Sequence, residues 1–181
     1  AAARNAMLAL KGWDVEADGL CGAPRPRVIV GEEAHATVFA ALRYLGLGAD
    51  CALRLPADQQ GRMDVGALAA ALEQDNAPTI VIAQAGHINS GAFDNVPAIA
   101  ALCRNHGAWL HVDGAFGLWA RTAPKLEPLS AGLELAHSWA TDGHKWLQLP
   151  YECGFAIVRD ADAHRHAKAI CASHLPSHAS A

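Results

Sequence analysis

The stretch of residues 78–113, PTIVIAQAGHINSGAFDNVPAIAALCRNHGAWLHVD, contains a complete strand–helix–strand pattern. It begins and ends with near-continuous apolar runs, which are typical of strands buried on both faces of a sheet. Between these runs, Asn95 is a good helix N-cap, Pro97 fits the first helical turn, and Gly107 ends the helix. The stretch therefore predicts a helix that connects two strands of a mainly parallel sheet.

The same alternation continues on both sides of this stretch. Further strands are predicted over 27–30, 51–56, 135–141 and 153–158. Further helices are predicted over 1–11, 34–45 and after Asp64, and a Gly/Pro-rich loop is predicted over 13–26. We therefore expect an α/β fold with three layers, α/β/α, around a mainly parallel sheet.

Composition and charge exclude several classes of partner. The 181 residues are 52% hydrophobic and 18% charged, which is typical of one soluble domain. The formal net charge is −4 and no basic stripe is present, so we expect neither nucleic acid nor membrane as a partner. The five cysteines are odd in number and lack zinc spacing, which favours reduced cysteines in a cytoplasmic protein.

Reactive side chains follow several of the predicted strands. Asp113 follows the 108–112 strand, His144 and Lys145 follow the 135–141 strand, and His35 follows the 27–30 strand. Because ligands of open α/β sheets bind outside the carboxyl ends of the strands, we expect these side chains to converge at one edge.

The two charged residues of this group suggest specific chemistry. A buried Asp113 carboxylate needs a cationic partner, and the small Gly114 and Ala115 leave room for a flat group such as a protonated heterocycle. A lysine in partly apolar surroundings, such as Lys145, can act as a Schiff-base nucleophile.

Simpler interpretations stay open at this point. Lys145 is compatible with a solvated surface lysine, Asp113 with a helix cap, and His35 with a cap or a core residue.

A different class of function is a metal-dependent hydrolase. Its four ligands would be His111, Asp113, Asp142 and His144, from two strand ends. That hypothesis leaves Lys145 unexplained, so the favoured site contains no metal.

Five ordered segments resemble the pyridoxal-phosphate-dependent amino-acid decarboxylases, the group II decarboxylases that act on aromatic amino acids, histidine and glutamate. The segments are EEAHATVFAALRYLGLG (32–48), GRMDVGALAAAL (61–72), APTIVIAQAGHINSGAFDNVPAIAALCRNHGAWLHVDGAFG (77–117), AHSWATDGHKWLQLP (136–150) and CGFAIVRD (153–160). Each segment alone is weak, but the ordered set, which contains the His-Lys pair at 144–145, is specific.

The resemblance implies an incomplete large domain of the fold-type-I, PLP-dependent transferase-like architecture. Residues 1–160 would be the central part of the cofactor-binding large domain. Residues 161–181 would be a truncated connection toward a C-terminal small domain. On this interpretation the chain is a fragment that would be inactive alone.

The resemblance also implies roles for five residues with pyridoxal 5′-phosphate as cofactor. Lys145 would hold the cofactor as an internal aldimine, and Asp113 would pair with the pyridine nitrogen. His35 would stack on the ring, Ala115 would pack on its other face, and His144 would lie near the phosphate.

The implied activity is decarboxylation of an amino acid, a carbon–carbon lyase reaction that releases CO₂ through a Lys145 Schiff base and an Asp113-stabilised quinonoid. The alternative is another fold-type-I enzyme, an aminotransferase or an aldolase or lyase. The complete protein would be a cytoplasmic homodimer that acts on a small amino acid.

Two positions depart from the family pattern. His87 and Ile88 stand in a loop where the family often has Thr, and Asp142 stands where aromatic-amino-acid relatives often have Asn. Because an acid beside an anionic phosphate is unfavourable, we expect Asp142 to hydrogen-bond elsewhere.

Overall fold

The strand–helix–strand stretch forms β3 (Thr79–Gln84), α5 (Val96–Asn105) and β4 (Trp109–Asp113) in the computed structural model, which describes residues 1–168. The side-chain oxygen of Asn95 accepts a hydrogen bond from the Ala98 N–H at 3.3 Å, as expected of an N-cap. Gly107 follows the helix with a φ of 62°, a backbone conformation that favours glycine.

The remaining elements continue the alternation. The other strands are Arg27–Gly31 (β1), Ala52–Leu55 (β2), Ser138–Asp142 (β5) and Gly154–Val158 (β6). The other α-helices within residues 1–168 are Ala2–Ala9 (α1), Val15–Asp18 (α2), Ala36–Tyr44 (α3), Val65–Glu73 (α4) and Ala161–His166 (α6). Over the same residues, no helix is both long and apolar enough to cross a membrane.

The strands form one sheet in the order β2-β1-β3-β4-β5-β6. Neighbours from β2 to β5 are parallel, and β6 is antiparallel to β5. The chain passes from β1 outward to β2 and then returns across β1 to β3, so the direction of winding changes between β1 and β3. Such a switch point opens a crevice at the carboxyl ends of the strands, where ligands bind in this kind of sheet.

Side chains alternate across the sheet and pack against helices on both faces. Ile29, Val81 and Leu110 point to the layer that contains α4 and α5. Val28 and Val30 pack against α3, while Ile80 and Trp109 pack against α1. The predicted three-layer α/β/α architecture is therefore confirmed.

Two local expectations differ from the structure, and a third is only partly covered by the described residues. The predicted loop over 13–26 contains the short helix α2, because the Asp14 carboxylate accepts hydrogen bonds from the Glu16 and Ala17 N–H groups and caps it. The strand predicted over 135–141 begins only at Ser138, since residues 133–135 form a 3₁₀ turn. The predicted connection over 161–181 begins with α6, and its part beyond residue 168 lies outside the described residues.

Leu110, at the centre of β4, offers a test of the core. Its side chain is fully buried between the sheet and the α4–α5 layer. Leu110→Ala is expected to lower the free energy of unfolding by about 2–5 kcal/mol, because it removes buried apolar contacts and leaves a cavity. Urea unfolding of the full-length protein measures this, with Leu10→Ala as control. Leu10 is 70% exposed, so its truncation should change the midpoint little.

Candidate active site

An open cleft of about 890 Å³ runs along one face of the sheet and reaches the carboxyl ends of its strands. The predicted site residues His35, Asp113, Ala115, His144 and Lys145 all line it. They come from segments that follow β1, β4 and β5, and β4 and β5 are parallel neighbours. The convergence expected from the strand order is therefore present in the structure.

Asp113 is the last residue of β4 and is held by its own backbone turn. Its Oδ1 accepts a hydrogen bond from the Ala115 N–H at 3.2 Å. Burial raises the pKa of the Asp113 carboxyl, and this hydrogen bond and the nearby Lys145 and His35 oppose that rise. A half-buried, partly desolvated carboxyl of this kind gains from a cationic partner in the cleft.

Lys145 lies in the loop after β5 and is not a solvated surface lysine. Its side chain is 25% exposed, and its Nζ lies 2.9 Å from Asp142 Oδ2. The same Nζ lies 3.9 Å from the centroid of the Phe116 ring, in the range of a cation–π contact. The amine therefore faces the cleft between a carboxylate and an aromatic ring.

His35 both caps a helix and faces the cleft. Its Nδ1 accepts a hydrogen bond from the Thr37 N–H at 3.4 Å and lies 2.8 Å from the Thr37 hydroxyl, which places it at the N-cap of α3. Its ring also lines a small crevice together with Asp113. The cap interpretation and the site interpretation are thus compatible, since the cap fixes the ring beside the carboxyl.

The His144 side chain links the loop that contains Lys145, here called the lysine loop, to Cys153, the residue before β6. Its Nδ1 lies 2.9 Å from the Cys153 carbonyl oxygen and 3.2 Å from the Cys153 N–H nitrogen. Its ring packs against Tyr151 with centroids 4.2 Å apart and the ring planes tilted by 48°. Its Nε2 lies 3.7 Å from Asp142 Oδ2. Asp142 therefore contacts both His144 and Lys145. This agrees with the expectation that its hydrogen-bond partner is a protein group and not a phosphate.

The loop after β4 runs unusually close to the end of β3. The Gly117 N–H donates to the Ala85 carbonyl at 3.0 Å, and a Cβ at Gly117 would lie 2.6 Å from the Ala85 backbone. Only glycine fits this approach without displacing the backbone. The contact sets the path of the loop that presents Ala115 and Phe116 to the cleft.

His87 is a buried residue near the site to which sequence reasoning assigned no role. It is 5% exposed, its Nδ1 accepts from the Asn89 N–H at 3.3 Å, and its Nε2 lies 3.3 Å from the Glu33 carbonyl oxygen. It therefore links the loop after β3 to the segment that leads into His35. A single histidine in a polar loop carries no periodic signal, so the sequence did not indicate its burial.

The four candidate ligands of the metal-hydrolase hypothesis are not brought together by this arrangement. Over residues 1–168, no group of three or more His, Cys, Asp or Glu side chains could hold a metal ion. Of its four candidate ligands, His111 is bonded to Ser138, and Asp142 is paired with Lys145.

His111 lines the same cleft as Asp113 and is a half-buried neutral group. The Trp109 indole N–H donates to Ser138 Oγ at 2.8 Å, and Ser138 Oγ lies 2.8 Å from His111 Nδ1. Since the indole can only donate, the Ser138 hydroxyl is free to donate its hydrogen to the unprotonated Nδ1. Burial lowers the pKa of His111 from 6.5 to about 4, which matches a neutral ring.

This histidine predicts a pH dependence of stability. Its folded-state pKa lies below its unfolded value, so its contribution is complete above pH 6.5 and is lost as the pH falls from 6.5 toward 4. From pH 7.5 to pH 5 the loss should be about 1–2 kcal/mol in the free energy of unfolding. Urea unfolding at both pH values should show a smaller decrease for His111→Gln than for the parent protein. Equal decreases would contradict the assignment.

The donor set of the cleft fits pyridoxal phosphate, the cofactor implied by the resemblance. Asp113 supplies a half-buried carboxyl suited to a protonated ring nitrogen, and Lys145 supplies an amine suited to an aldehyde. The close approach of Gly117 to Ala85 keeps the loop with Ala115 against the sheet, which leaves space in the cleft for a planar ring.

Comparisons with known proteins agree with this chemistry. A family model described as "Pyridoxal-dependent decarboxylase conserved domain" matches residues 1–181. The chain is 34% identical to the aromatic-L-amino-acid decarboxylase of Bacillus atrophaeus over 74% of this chain and 29% of that protein. It is 37% identical to the L-2,4-diaminobutyrate decarboxylase of Rhizobium meliloti over 74% of this chain and 28% of that protein.

A solved structure resembles the chain closely in fold. The crystal structure of Oryza sativa TDC with PLP aligns with a TM-score of 0.77 and 30% identity, over 91% of this chain and 35% of that one. The chain thus spans about a third or less of the length of the proteins it matches. From its full-length family match and its fold, the chain belongs to the pyridoxal-dependent decarboxylase family, whose cofactor is pyridoxal phosphate.

Proposed function

We propose that the full-length protein is a pyridoxal-phosphate-dependent amino-acid decarboxylase, a carbon–carbon lyase that releases CO₂. The observation that carries this proposal is the convergence of Asp113 and Lys145 in one cleft, from the ends of adjacent parallel strands. Family membership supports it, because the relatives reported above are named as decarboxylases.

When bound, pyridoxal phosphate supplies an electron-accepting ring that stabilises the negative charge left on the α-carbon after loss of CO₂. The part of Asp113 is to hold a proton on the ring nitrogen, since desolvation raises the pKa of its half-buried carboxyl and a cationic partner would stabilise the ionised form. The part of Lys145 is to bind the aldehyde carbon through Nζ and afterwards to move a proton to the product.

The neighbouring residues orient these two groups. We assign His35 to one face of the ring, because its imidazole is fixed by the α3 cap beside Asp113. We assign Ala115 to the other face, since its backbone N–H also restrains the Asp113 carboxyl. His144 is assigned to the phosphate end of the cofactor. Its Nε2 lies 3.7 Å from Asp142 Oδ2, so this nitrogen would have to exchange that contact for one with the phosphate.

The proposal is tested by CO₂ release from the full-length protein with a panel of amino acids. The panel should contain an aromatic amino acid, glutamate, cysteine sulfinate and L-2,4-diaminobutyrate, which reflects the names of relatives. Release of one CO₂ for each amine formed is the expected result. Transfer of the amino group to a 2-oxo acid, or cleavage of a side-chain carbon–carbon bond, without CO₂ would instead identify an aminotransferase or an aldolase.

We also propose that the complete protein is a homodimer in the cytoplasm. The location is supported by the free cysteines Cys21, Cys51, Cys103 and Cys153 within residues 1–168. Assembly is supported by the apolar side chains Trp146, Leu147, Leu149 and Tyr151, which are 40–80% exposed beside the lysine loop. Sedimentation of the full-length protein measures the oligomeric state directly.

A further inference from the structure

The residue that holds Lys145 is Asp142, the last residue of β5. Its Oδ2 lies 2.9 Å from Lys145 Nζ, and the two side chains are 30% and 25% exposed. Asp142 pairs in register with Gly154 of β6, and a Cβ at Gly154 would come within 3.7 Å of Asp142 Oδ1. The Asp142 carboxylate therefore lies beside the first residue of β6, next to the loop that contains Lys145.

Other groups around the Lys145 ammonium also attract it. Phe116 offers the face of its ring to Nζ at 3.9 Å, and a ring face attracts a cation. The Asp113 carboxyl is close enough to interact electrostatically with Lys145. His144 Nε2 lies 3.7 Å from Asp142 and competes only weakly for its carboxylate at that distance. The Lys145 ammonium is thus held between the Asp142 carboxylate and the face of the Phe116 ring.

An amine attacks an aldehyde only through its unprotonated form, so these contacts oppose the reaction that the site requires. Because a carboxylate is a far weaker base than an amine, Asp142 is suited to holding the Lys145 Nζ through this contact rather than to accepting a proton from it. Any aldehyde that bonds to Lys145 must first displace this ion pair. The pair is only partly exposed, so solvent screens it incompletely.

We propose that Asp142 is a positioning residue that competes with the aldehyde of the cofactor for the Lys145 amine and so limits the rate of cofactor capture. The inference rests on the proposed function, since it concerns the same lysine and the same cofactor. In the capture step Lys145 first releases a proton to solvent. Its nitrogen then forms a double bond to the aldehyde carbon, and the carbonyl oxygen leaves as water, with no oxidation or reduction.

Two measurements on the full-length protein test this role. For the first, the cofactor is removed by dialysis against an amine and pyridoxal phosphate is then added back. The rate at which the visible absorbance of the bound cofactor appears is measured. The second needs no cofactor: reductive methylation with formaldehyde and cyanoborohydride, with Lys145 followed by peptide mass spectrometry. Lys125, which is exposed, is the internal reference in the same sample.

Asp142→Asn should raise both rates about five- to tenfold, because it removes the negative charge and keeps the shape of the side chain. Asp142→Ser is a second variant in case the first folds poorly, and thermal unfolding of both checks the fold. The matched control is Glu134→Gln, which breaks the ion pair between Arg121 and Glu134. The N–O distance of this pair is also 2.9 Å, but Glu134 is remote from Lys145 in the sequence and does not line the cleft. The control should leave both rates unchanged.

Methylation of Lys145 that is unchanged or slower in folded Asp142 variants, relative to Lys125, would overturn the proposal. A slower reaction would indicate instead that Asp142 removes the proton. The proposed function and the role of Asp142 can be rejected independently of each other. If the parent protein binds no pyridoxal phosphate, the proposed function fails, yet the methylation ratio still decides whether Asp142 restrains the amine. If the cofactor binds and the ratio does not change, only the role of Asp142 is wrong.

Discussion

Lys145→Ala is expected to abolish CO₂ release by the full-length protein, with a loss of about 10³-fold or more in kcat. The substitution removes the amine that faces the cleft between Asp142 and Phe116, and with it both the attachment point and the proton-transfer group. Borohydride reduction followed by peptide mass spectrometry should add the mass of a pyridoxyl group at Lys145 in the parent protein and at no residue of the variant.

The matched variant is Lys145→Arg, which keeps a positive charge beside Asp142 but has no amine that can bond to an aldehyde. It should be as inactive as the alanine variant and closer to the parent in stability. Retention of a tenth or more of the activity in either variant would show that another residue carries the chemistry.

Asp113→Asn is expected to lower kcat by about 10²–10³-fold while the protein stays folded. The amide has nearly the same shape but no negative charge, so it cannot hold a proton on a ring nitrogen. Burial raises the pKa of the Asp113 carboxyl, which means that ionising this group has a cost in the folded protein. The neutral variant should therefore match or exceed the parent in free energy of unfolding at pH 7, although its activity is much lower.

This separation of activity from stability distinguishes a functional carboxylate from a structural one. Asp64→Asn is the control, because Asp64 Oδ1 caps α4 through the Ala67 N–H and asparagine caps helices equally well. It should change neither quantity appreciably. If Asp113→Asn instead lowers stability and leaves kcat within a fewfold of the parent, Asp113 serves the fold only.

The elements with strong local signals were predictable from the sequence. Asn95 and Asp64 were recognised as caps, because a short polar side chain before an apolar helix satisfies free backbone N–H groups. The buried strands β3 and β4 were recognised by their apolar runs. The position of Asp113 and Lys145 at one edge followed from strand order alone, since parallel strands end on the same side of a sheet.

Features that depend on contacts between distant residues were not predictable. The direction of β6 and the start of β5 depend on pairing across the sheet rather than on local periodicity. The burial of His87 depends on the Glu33 segment, 54 residues earlier. The pair between Asp142 and Lys145 depends on the turn after β5, because a spacing of three residues brings side chains together only when the chain curves.

The contacts that close the base of the lysine loop determine which part of this loop can vary in sequence and length. The Gly143 N–H donates to the Cys153 carbonyl at 2.9 Å and the His144 side chain binds the same residue, so the loop is tied at its base, while residues 146–152 are exposed. Since the entropy of loop closure grows slowly with length, insertions in the exposed tip need not move the base. Natural variation or library design could therefore alter residues 146–152, and with them the surface proposed above to support assembly, while the backbone ties that position Lys145 stay in place.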